Sequence, residues 1–350
     1  GLSDAQQGGS YALFDLDREI RMAGSGIATL GGKMGCVVNV NLDGTTIMPA
    51  SSAFPAPFTT LNTTSRLLPI IITEGATSSA PDMITVMYTS ASPVNTPIGF
   101  SAAGDQANGT MPITNSLGIK QGDLLLTALP SGGVCRIWQA TGTMPAPTAP
   151  ALVGTLSIAP FEVKNSGLSG GPSWNGIGGP SLGLDAYSGL TEALNLGSSP
   201  NISAFGVDVV NANLMTMDLL RGGAPVAVAE NVINIQALYG VDAGMLATKT
   251  PNNNIDWQTP TGVYAASLLN PNATATNPPL QTINAIRAVR VAIVTRSTEP
   301  DKEQVSPANI TMFSDLAPAL QASIGLNADQ RHYRYKIYDT VIPIRNMLLQ

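Results

Sequence analysis

The sequence predicts an α+β fold, with one N-terminal helix followed by antiparallel β-sheet. The prediction depends on three observations. Residues 3–23 have the apolar periodicity of an amphipathic helix. After residue 24 apolar residues alternate with period two in short runs, and spacers rich in Gly, Pro, Ser and Thr separate these runs, with 35 Gly and 26 Pro in 350 residues. A helix followed by strand after strand favours antiparallel sheets over βαβ units.

The N-terminal helix has an unusually wide apolar stripe. Leu13, Leu16 and Ile20 recur at steps of three and four residues, and Tyr11 and Phe14 widen the stripe they form. The stripe is wider than one sheet face covers. We therefore expect Leu13, Leu16 and Ile20 to pack on the sheet, and Tyr11 and Phe14 to stay partly exposed as a helix interface.

Other residues of this segment fix its ends and its stability. Asp17 and Arg21 are one turn apart in the favourable acid-first order, and Gly24 is suited to ending the helix. Gly8 and Gly9 each cost about 1 kcal/mol relative to alanine, so the helix needs tertiary packing.

The strands predicted from period-two alternation are spread over the rest of the chain. They lie at residues 35–41, 68–73, 82–89, 123–129, 134–140, 152–163, 203–209, 214–220, 233–239, 286–296 and 333–344. A short helix is predicted at 315–324. Four long spacers, at 42–66, 90–120, 164–201 and 243–282, are predicted to be insertions on one scaffold.

Charge and hydropathy exclude several classes of protein. The formal net charge is −6 and charged residues make up 11% of the chain, so there is no basic surface for nucleic acid. The longest unbroken apolar run, 67–72, is far shorter than the ~20 residues of a membrane span. The sequence starts without Met or a signal-peptide pattern, which suggests a processed or trimmed chain.

Cys36 and Cys135 are the two cysteines, too few for a zinc cluster. They are either two buried thiols or one disulfide. The low charge content points to an oxidising compartment outside the cytoplasm, and this favours the disulfide.

Catalytic residues are scarce. The single histidine, His332, excludes metal sites built on several histidines, and its alternating context at 331–336 predicts a strand side chain. Residues 167–172, GLSGGP, resemble a nucleophile motif around Ser169. However, the glycines and proline that follow cannot start the helix an elbow requires, and a trypsin-like order would place the histidine upstream.

A metal site has only weak support. Asp242, Asn254 and Asp256 offer oxygen ligands that could hold calcium, but carboxylates are sparser than in an EF-hand loop. A plain polar loop is the favoured interpretation, and no cofactor is predicted.

Five segments together resemble PilW-type minor pilins of type IV pili, within the type IV pilin-like and pseudopilin superfamily. The first, ALFDLDREIRMAG at 12–24 followed by Gly35 and Cys36, resembles the exit of the pilin helix. The others are 122–126 with 135–141, 229–242, 286–297, and 333–348 with its Arg-Asn ending, all in the order found in the family.

The resemblance implies a type IV pilin-like fold. Residues 1–24 would be the C-terminal half of the pilin α1 helix, and residues 25–350 a β-rich head. The apolar first half of the helix would be missing from the given sequence.

The resemblance also implies a function by association. A minor pilin starts or caps pilus assembly without catalysis. Its partners would be other minor pilins, the major pilin below it in the fibre and a PilY-type tip adhesin. The protein would reside in the inner membrane with its head in the periplasm, and later in the extracellular pilus.

Two alternatives remain open at this stage. A minor pseudopilin of type II secretion is a close one. A secreted serine hydrolase using Ser169 and His332 is remote.

Overall fold

A computed structural model describes most of the chain. The described residues are 2–28, 33–91, 96–105, 109–116, 118–129, 133–142, 161–164, 174 and 191–347. All structural statements below refer to these residues.

Four helices and nineteen strands make up the described fold. The helices are α1 Leu2–Met22, α2 Ala243–Thr248, α3 Ala266–Leu269 and α4 Leu280–Ala285. The strands before residue 200 are β1 Val37–Leu42, β2 Thr45–Met48, β3 Ile70–Thr73, β4 Met83–Tyr88, β5 Ile98–Gly99, β6 Thr110–Ile113, β7 Leu124–Ala128, β8 Val134–Gln139, β9 Phe161–Lys164 and β10 Glu192–Gly197. The later strands are β11 Asn201–Asp208, β12 Asn213–Asp218, β13 Val226–Glu230, β14 Val232–Asp242, β15 Ile255–Gln258, β16 Ile286–Arg296, β17 Asn309–Met312, β18 Ala322–Gly325 and β19 Tyr335–Pro343.

The strands form three larger sheets and two hairpin-like pairs. The six-stranded sheet has the order β2-β1-β8-β7-β10-β5, the five-stranded sheet β13-β12-β11-β4-β3, and the four-stranded sheet β15-β14-β16-β19. The pairs are β17-β18 and β6-β9. Among the described strands only β1 and β8 pair in parallel. The prediction of a mixed fold with mostly antiparallel sheets and few helices is confirmed at this level.

The five-stranded sheet lies between two hydrophobic clusters. Ile84 and Val86 of β4 belong to a cluster shared with α1 and the four-stranded sheet. Met83 and Met87 belong to a second cluster shared with the six-stranded sheet. Because alternate residues of a strand point to opposite faces, β4 is buried on both sides.

A further small layer covers the outer face of the four-stranded sheet. The β17-β18 pair packs there through Ile310 and Met312 against Ala292 and Val294. The same face carries Arg290, which pairs with Asp339 and Asp315 at 2.6 and 2.8 Å.

Two local predictions are wrong. Residues 315–324 do not form an α-helix but a short 3-10 turn, Pro318–Leu320, followed by β18. Pro318 removes a backbone donor, and the residues after the turn extend as β18 and pair with β17. His332 is also not on a strand: it ends the 3-10 turn Gln330–His332 before β19 begins at Tyr335. Of the strand predicted at 152–163, only residues 161–163 lie in the described part, within β9.

The four long spacers contain structure of their own. Segment 42–66 carries β2, segment 90–120 carries β5 and β6, and segment 243–282 carries α2, β15 and α3 and the start of α4. Most of segment 164–201 lies outside the described residues.

Candidate interaction surface

The inner face of α1 packs on the sheets. Ala12, Leu16, Ile20 and Ala23 are buried in the cluster that α1 shares with the four- and five-stranded sheets. Leu13 is partly buried at the border of the same cluster. The contacts of α1 are with β16, β19 and β13, and to a lesser extent with β4 and β14.

Two glycines bring the helix unusually close to its sheet. A Cβ built on Gly9 overlaps the ring of Tyr338 on β19, and one built on Gly8 lies 2.7 Å from the backbone oxygen of Glu230 at the end of β13. The residues that weaken α1 as an isolated helix are therefore the ones that let it approach the sheet.

Polar contacts fix the C-terminal half of the helix. Glu19, nearly buried, accepts hydrogen bonds from Tyr88 Oη at 2.8 Å and from Asn201 Nδ2 at 3.0 Å. Burial and the hydrogen bond to Glu19 raise the pKa of Tyr88. Arg21 pairs with Asp17 at 2.6 Å, as the spacing predicts.

The end of the chain caps the end of α1. Asn346 Nδ2 donates to the carbonyl oxygens of Met22 and Ala23, at 3.3 and 3.0 Å. Gly24 then leaves the helix with φ of 77°, a conformation that glycine adopts without strain. Sequence reasoning gave no role to Glu19 or Asn346. A carboxylate beside the apolar stripe, and the Arg-Asn ending of the last segment, were the available signals.

The opposite face of α1 leaves three large apolar side chains in solvent. Tyr11 is 57% exposed, Phe14 64% and Met22 41%. Together with Arg18 they follow one another at steps of three and four residues, so they form one line along the helix, which we name the outer stripe. The expectation that Tyr11 and Phe14 are exposed while Leu16 and Ile20 pack on the sheet agrees with these values. That the outer stripe is an interface stays a prediction.

Cys36 and Cys135 form a disulfide, with their Cα atoms 5.7 Å apart. It joins the start of the parallel pair β1 and β8, where Val38 is the register partner of Cys135. The closed loop spans 99 positions, for which chain entropy gives a stabilisation of roughly 4.7 kcal/mol.

The carboxylate of Asp242 is engaged by the backbone. It caps α2 by accepting from the N–H groups of Gly244 and Met245, and it accepts from Asn252 and Asn253 as well. Desolvation acts to raise the pKa of Asp242, but these four donors outweigh it and hold the pKa below its usual range. This carboxylate therefore closes the loop that follows β14.

The other two metal candidates, Asn254 and Asp256, lie near Asp242 where β14 pairs with β15. Asn254 contributes its backbone carbonyl to Ala243 N–H, and Asp256 is an exposed residue of β15. In the described part of the chain no three His, Cys, Asp or Glu side chains gather in a metal-binding group.

The described structure does not bring together Ser169 and His332, the two residues of the hydrolase alternative. His332 Nδ1 lies 2.9 Å from the carbonyl oxygen of Asp301. Ser169 and the GLSGGP motif lie outside the described residues.

The described fold is a mixed α/β arrangement in which one face of α1 packs on mostly antiparallel sheets and the outer stripe stays exposed. Residues 212–346 match the family described as PilW, Type IV Pilus-assembly protein W. This match confirms the resemblance to PilW-type proteins of type IV pili.

The family implies involvement in type IV pilus assembly and association with that machinery in the cell envelope. It suggests a structural role without catalysis. No curated protein and no solved structure matches the chain. Within the described residues no helix is long and apolar enough to span a membrane.

Proposed function

We propose that this chain is a non-catalytic minor pilin subunit that joins other minor pilins to start or cap a type IV pilus. Residues 1–24 act as the C-terminal half of the pilin helix and residues 25–350 as the head of a type IV pilin-like fold. The major pilin lies below the subunit in the fibre, and a PilY-type adhesin is a further partner at the tip.

One observation carries the proposal. The strands that hold α1 most closely are β13, β16 and β19, and all three lie within residues 212–346, the segment that matches PilW. The matched segment therefore supplies the three strands on which the helix packs, β13, β16 and β19, which we name the cradle of the helix. The outer stripe faces away from this cradle and is free to contact neighbouring helices in a fibre.

The proposed location follows from this role. Before assembly the subunit is held in the inner membrane by an apolar helix segment preceding the given sequence, with its head in the periplasm. After assembly it is part of the extracellular pilus.

The outer stripe can be tested with a charge at its most exposed residue. Phe14→Asp in the full-length protein, expressed in the natural host in place of the wild type, should abolish or strongly reduce surface pili. The reason is that association would desolvate this carboxylate, while Arg18, one turn away, is already paired with Asp15 and Glu19. The measurement is a count of pili by electron microscopy, together with photo-crosslinking from a benzophenone side chain at position 14 to other pilus subunits.

Val263→Asp is the matched control, because Val263 is 63% exposed and lies far from α1 along the chain. It should leave pili and crosslinks unchanged. Normal pili with Phe14→Asp, and no crosslink to another subunit from position 14, would overturn the proposal. Leu16 is unsuited to this test, since it is buried and a charge there unfolds the subunit.

The same strains separate a pilin from a pseudopilin. Loss of pili with normal protein secretion supports the minor pilin. Loss of type II secretion with normal pili supports the pseudopilin instead.

A further inference from the structure

A cavity of about 410 Å³ opens beside the edge of the five-stranded sheet, and no residue of α1 is among those that line it. Its walls come from β3 and β4, from residues 60–65, from the end of β12 and from α3. The volume falls in the range of small-molecule sites, at ~300–1,000 Å³.

Two hydroxyl-bearing residues of the cavity lining, Ser65 and Thr85, are almost fully buried as residues. Ser65 is 4% exposed and Thr85 is 5% exposed, and neither side-chain hydroxyl makes a hydrogen bond to any residue that the structure describes. Thr85 is the register partner of Ile71, so both residues and Thr73 share one face of the sheet. Neither hydroxyl oxygen is among the described side-chain atoms that are sealed from solvent without a partner, so both are open to the cavity and can bond to a ligand there.

The opposite wall is rigid and polar. Asn62 Nδ2 donates to the carbonyl of Asn270 at 2.7 Å, and Asn270 Nδ2 donates to Thr64 O at 2.8 Å. Asn270 Oδ1 accepts from the backbone N–H of Arg66 at 2.9 Å. These bonds hold the amide wall in one position, and Leu61 and Leu219 supply an apolar surface beside it.

No charged side chain is among the residues that line the cavity in the described structure. An ionic ligand would have no counter-charge there. Hydroxyl groups both donate and accept, so they suit a neutral ligand that carries hydroxyl groups itself.

A peptide strand does not fit the site. The outward N–H of Ile72 on the edge strand β3 already donates to Tyr239 Oη at 2.5 Å, and α3 lies against the same strand. The edge strand therefore lacks the row of free backbone N–H and C=O groups that the addition of a peptide strand requires.

From the unpartnered hydroxyls, the uncharged polar lining and the volume, we propose that this cavity binds a neutral carbohydrate, as a mono- or disaccharide. Ser65, Thr73 and Thr85 bind its hydroxyl groups, and Leu61, Ile71 and Leu219 contact its C–H surface. This site is independent of the helix interface.

The test uses the purified full chain and a fixed set of probes. These are the methyl glycosides of glucose, galactose, mannose, fucose, N-acetylglucosamine and N-acetylgalactosamine, with methyl glucuronoside as the anionic comparison. Saturation-transfer NMR and titration calorimetry should detect at least one neutral glycoside and not the glucuronoside.

Variants locate the binding. Thr85→Val keeps the shape of the side chain and should raise the dissociation constant about two- to tenfold. This is the change in affinity expected from the loss of one hydrogen bond. Ser267→Trp, at an exposed residue of the lining, should block the cavity and abolish binding.

Thr216→Val is the matched control, since Thr216 lies on β12 of the same sheet and outside the cavity lining. It should bind as the wild type does, and circular dichroism should show that all three variants fold. The proposal is wrong if no neutral glycoside binds, if only the glucuronoside binds, or if Thr85→Val and Ser267→Trp both bind like the wild type.

Discussion

Two buried arginines have contrasting surroundings. The guanidinium group of Arg66 donates five hydrogen bonds, among them to the carbonyl oxygens of Gly35 and Ala275 at 2.7 and 2.9 Å. It thereby ties residues 271–277 to the start of β1. Arg287, on β16, has no hydrogen-bond partner at any of its three guanidinium nitrogens within the described structure. Burial lowers the pKa of both side chains.

The same substitution should therefore have opposite effects at these two positions. Arg287→Met removes unpaired buried donors and should raise the free energy of unfolding by about 1–3 kcal/mol. Arg66→Met leaves buried acceptors unpaired and should lower it by at least about 3 kcal/mol. Urea unfolding followed by circular dichroism measures both. A loss of stability in Arg287→Met comparable with that in Arg66→Met would contradict the prediction.

At the scale of single residues, the sequence predicts which side chains face the core better than it predicts which side chains bond to one another. The helical period placed Leu16 and Ile20 inside and Phe14 outside, because side-chain direction depends only on local geometry. It did not place Arg66 or Glu19, whose burial depends on partners far along the chain. It misplaced His332, because alternation continues through a 3-10 turn as readily as through a strand.

At the scale of elements, the fit of α1 to its cradle depends on Gly8 and Gly9. Gly8→Ala gains about 1 kcal/mol of helix propensity, but its Cβ meets the backbone oxygen of Glu230, which cannot rotate away. Overpacking costs about 1–3 kcal/mol, so we expect a net loss of stability and a lower Tm.

Ser10→Ala is the control for this change. Ser10 lies two residues after Gly8 on α1 and is exposed, so alanine there should leave Tm unchanged or raise it slightly. If Gly8→Ala raises Tm as much as Ser10→Ala does, the close approach does not constrain the helix.

Long, strongly alternating strands were predictable, and short ones were not. The segments 82–89, 203–209 and 286–296 became β4, β11 and β16 with small shifts at their ends. The strands β2, β5 and β15 were missed, since two to four residues inside Gly- and Pro-rich spacers carry no readable period. Their pairing is set by the neighbouring strand.

At the scale of the whole molecule, Asp82 joins two sheets. Its carboxylate accepts from the backbone N–H of Ala237 on β14 and from that of Gly75, between β3 and β4. Burial raises the pKa of Asp82 to about 7, although these two donors act to lower it.

A raised pKa means that the folded protein binds this proton more tightly than the unfolded chain. The contribution of Asp82 to stability is therefore complete below about pH 3.8 and is lost as pH rises to about 7. The loss is on the order of 4 kcal/mol. Asp82→Asn should remove this slope, which urea unfolding at a series of pH values from 4.5 to 7.5 would reveal as a flatter profile than that of the wild type.

Asp208→Asn serves as the control. The side chain of Asn211 donates to Asp208 and lowers its pKa, so this carboxylate affects stability only below the window in question. Its profile should follow the wild type between pH 4.5 and 7.5. An unchanged slope in Asp82→Asn would show that another group controls the pH dependence.

The order of the layers could not be read from the sequence. Alternation in β4 predicts one apolar face with Ile84 and Val86, yet Met83 and Met87 form a second buried face. Methionine at alternate positions of a strand is compatible with a second face that is buried or with one that is exposed. Only the packing of the five-stranded sheet between two others decides it.

The cap on α1 sets the order of events during synthesis. Asn346 binds the carbonyl of Met22 across a sequence separation of 324 residues, and β16 and β19 likewise follow α1 far along the chain. At about 5–20 residues per second, the first helix waits roughly 15 to 60 s before its cradle exists. Throughout that interval the inner face of the helix lacks β16 and β19, the two strands with which it makes most of its contacts. Docking of the helix therefore cannot be completed until residue 346 has been made.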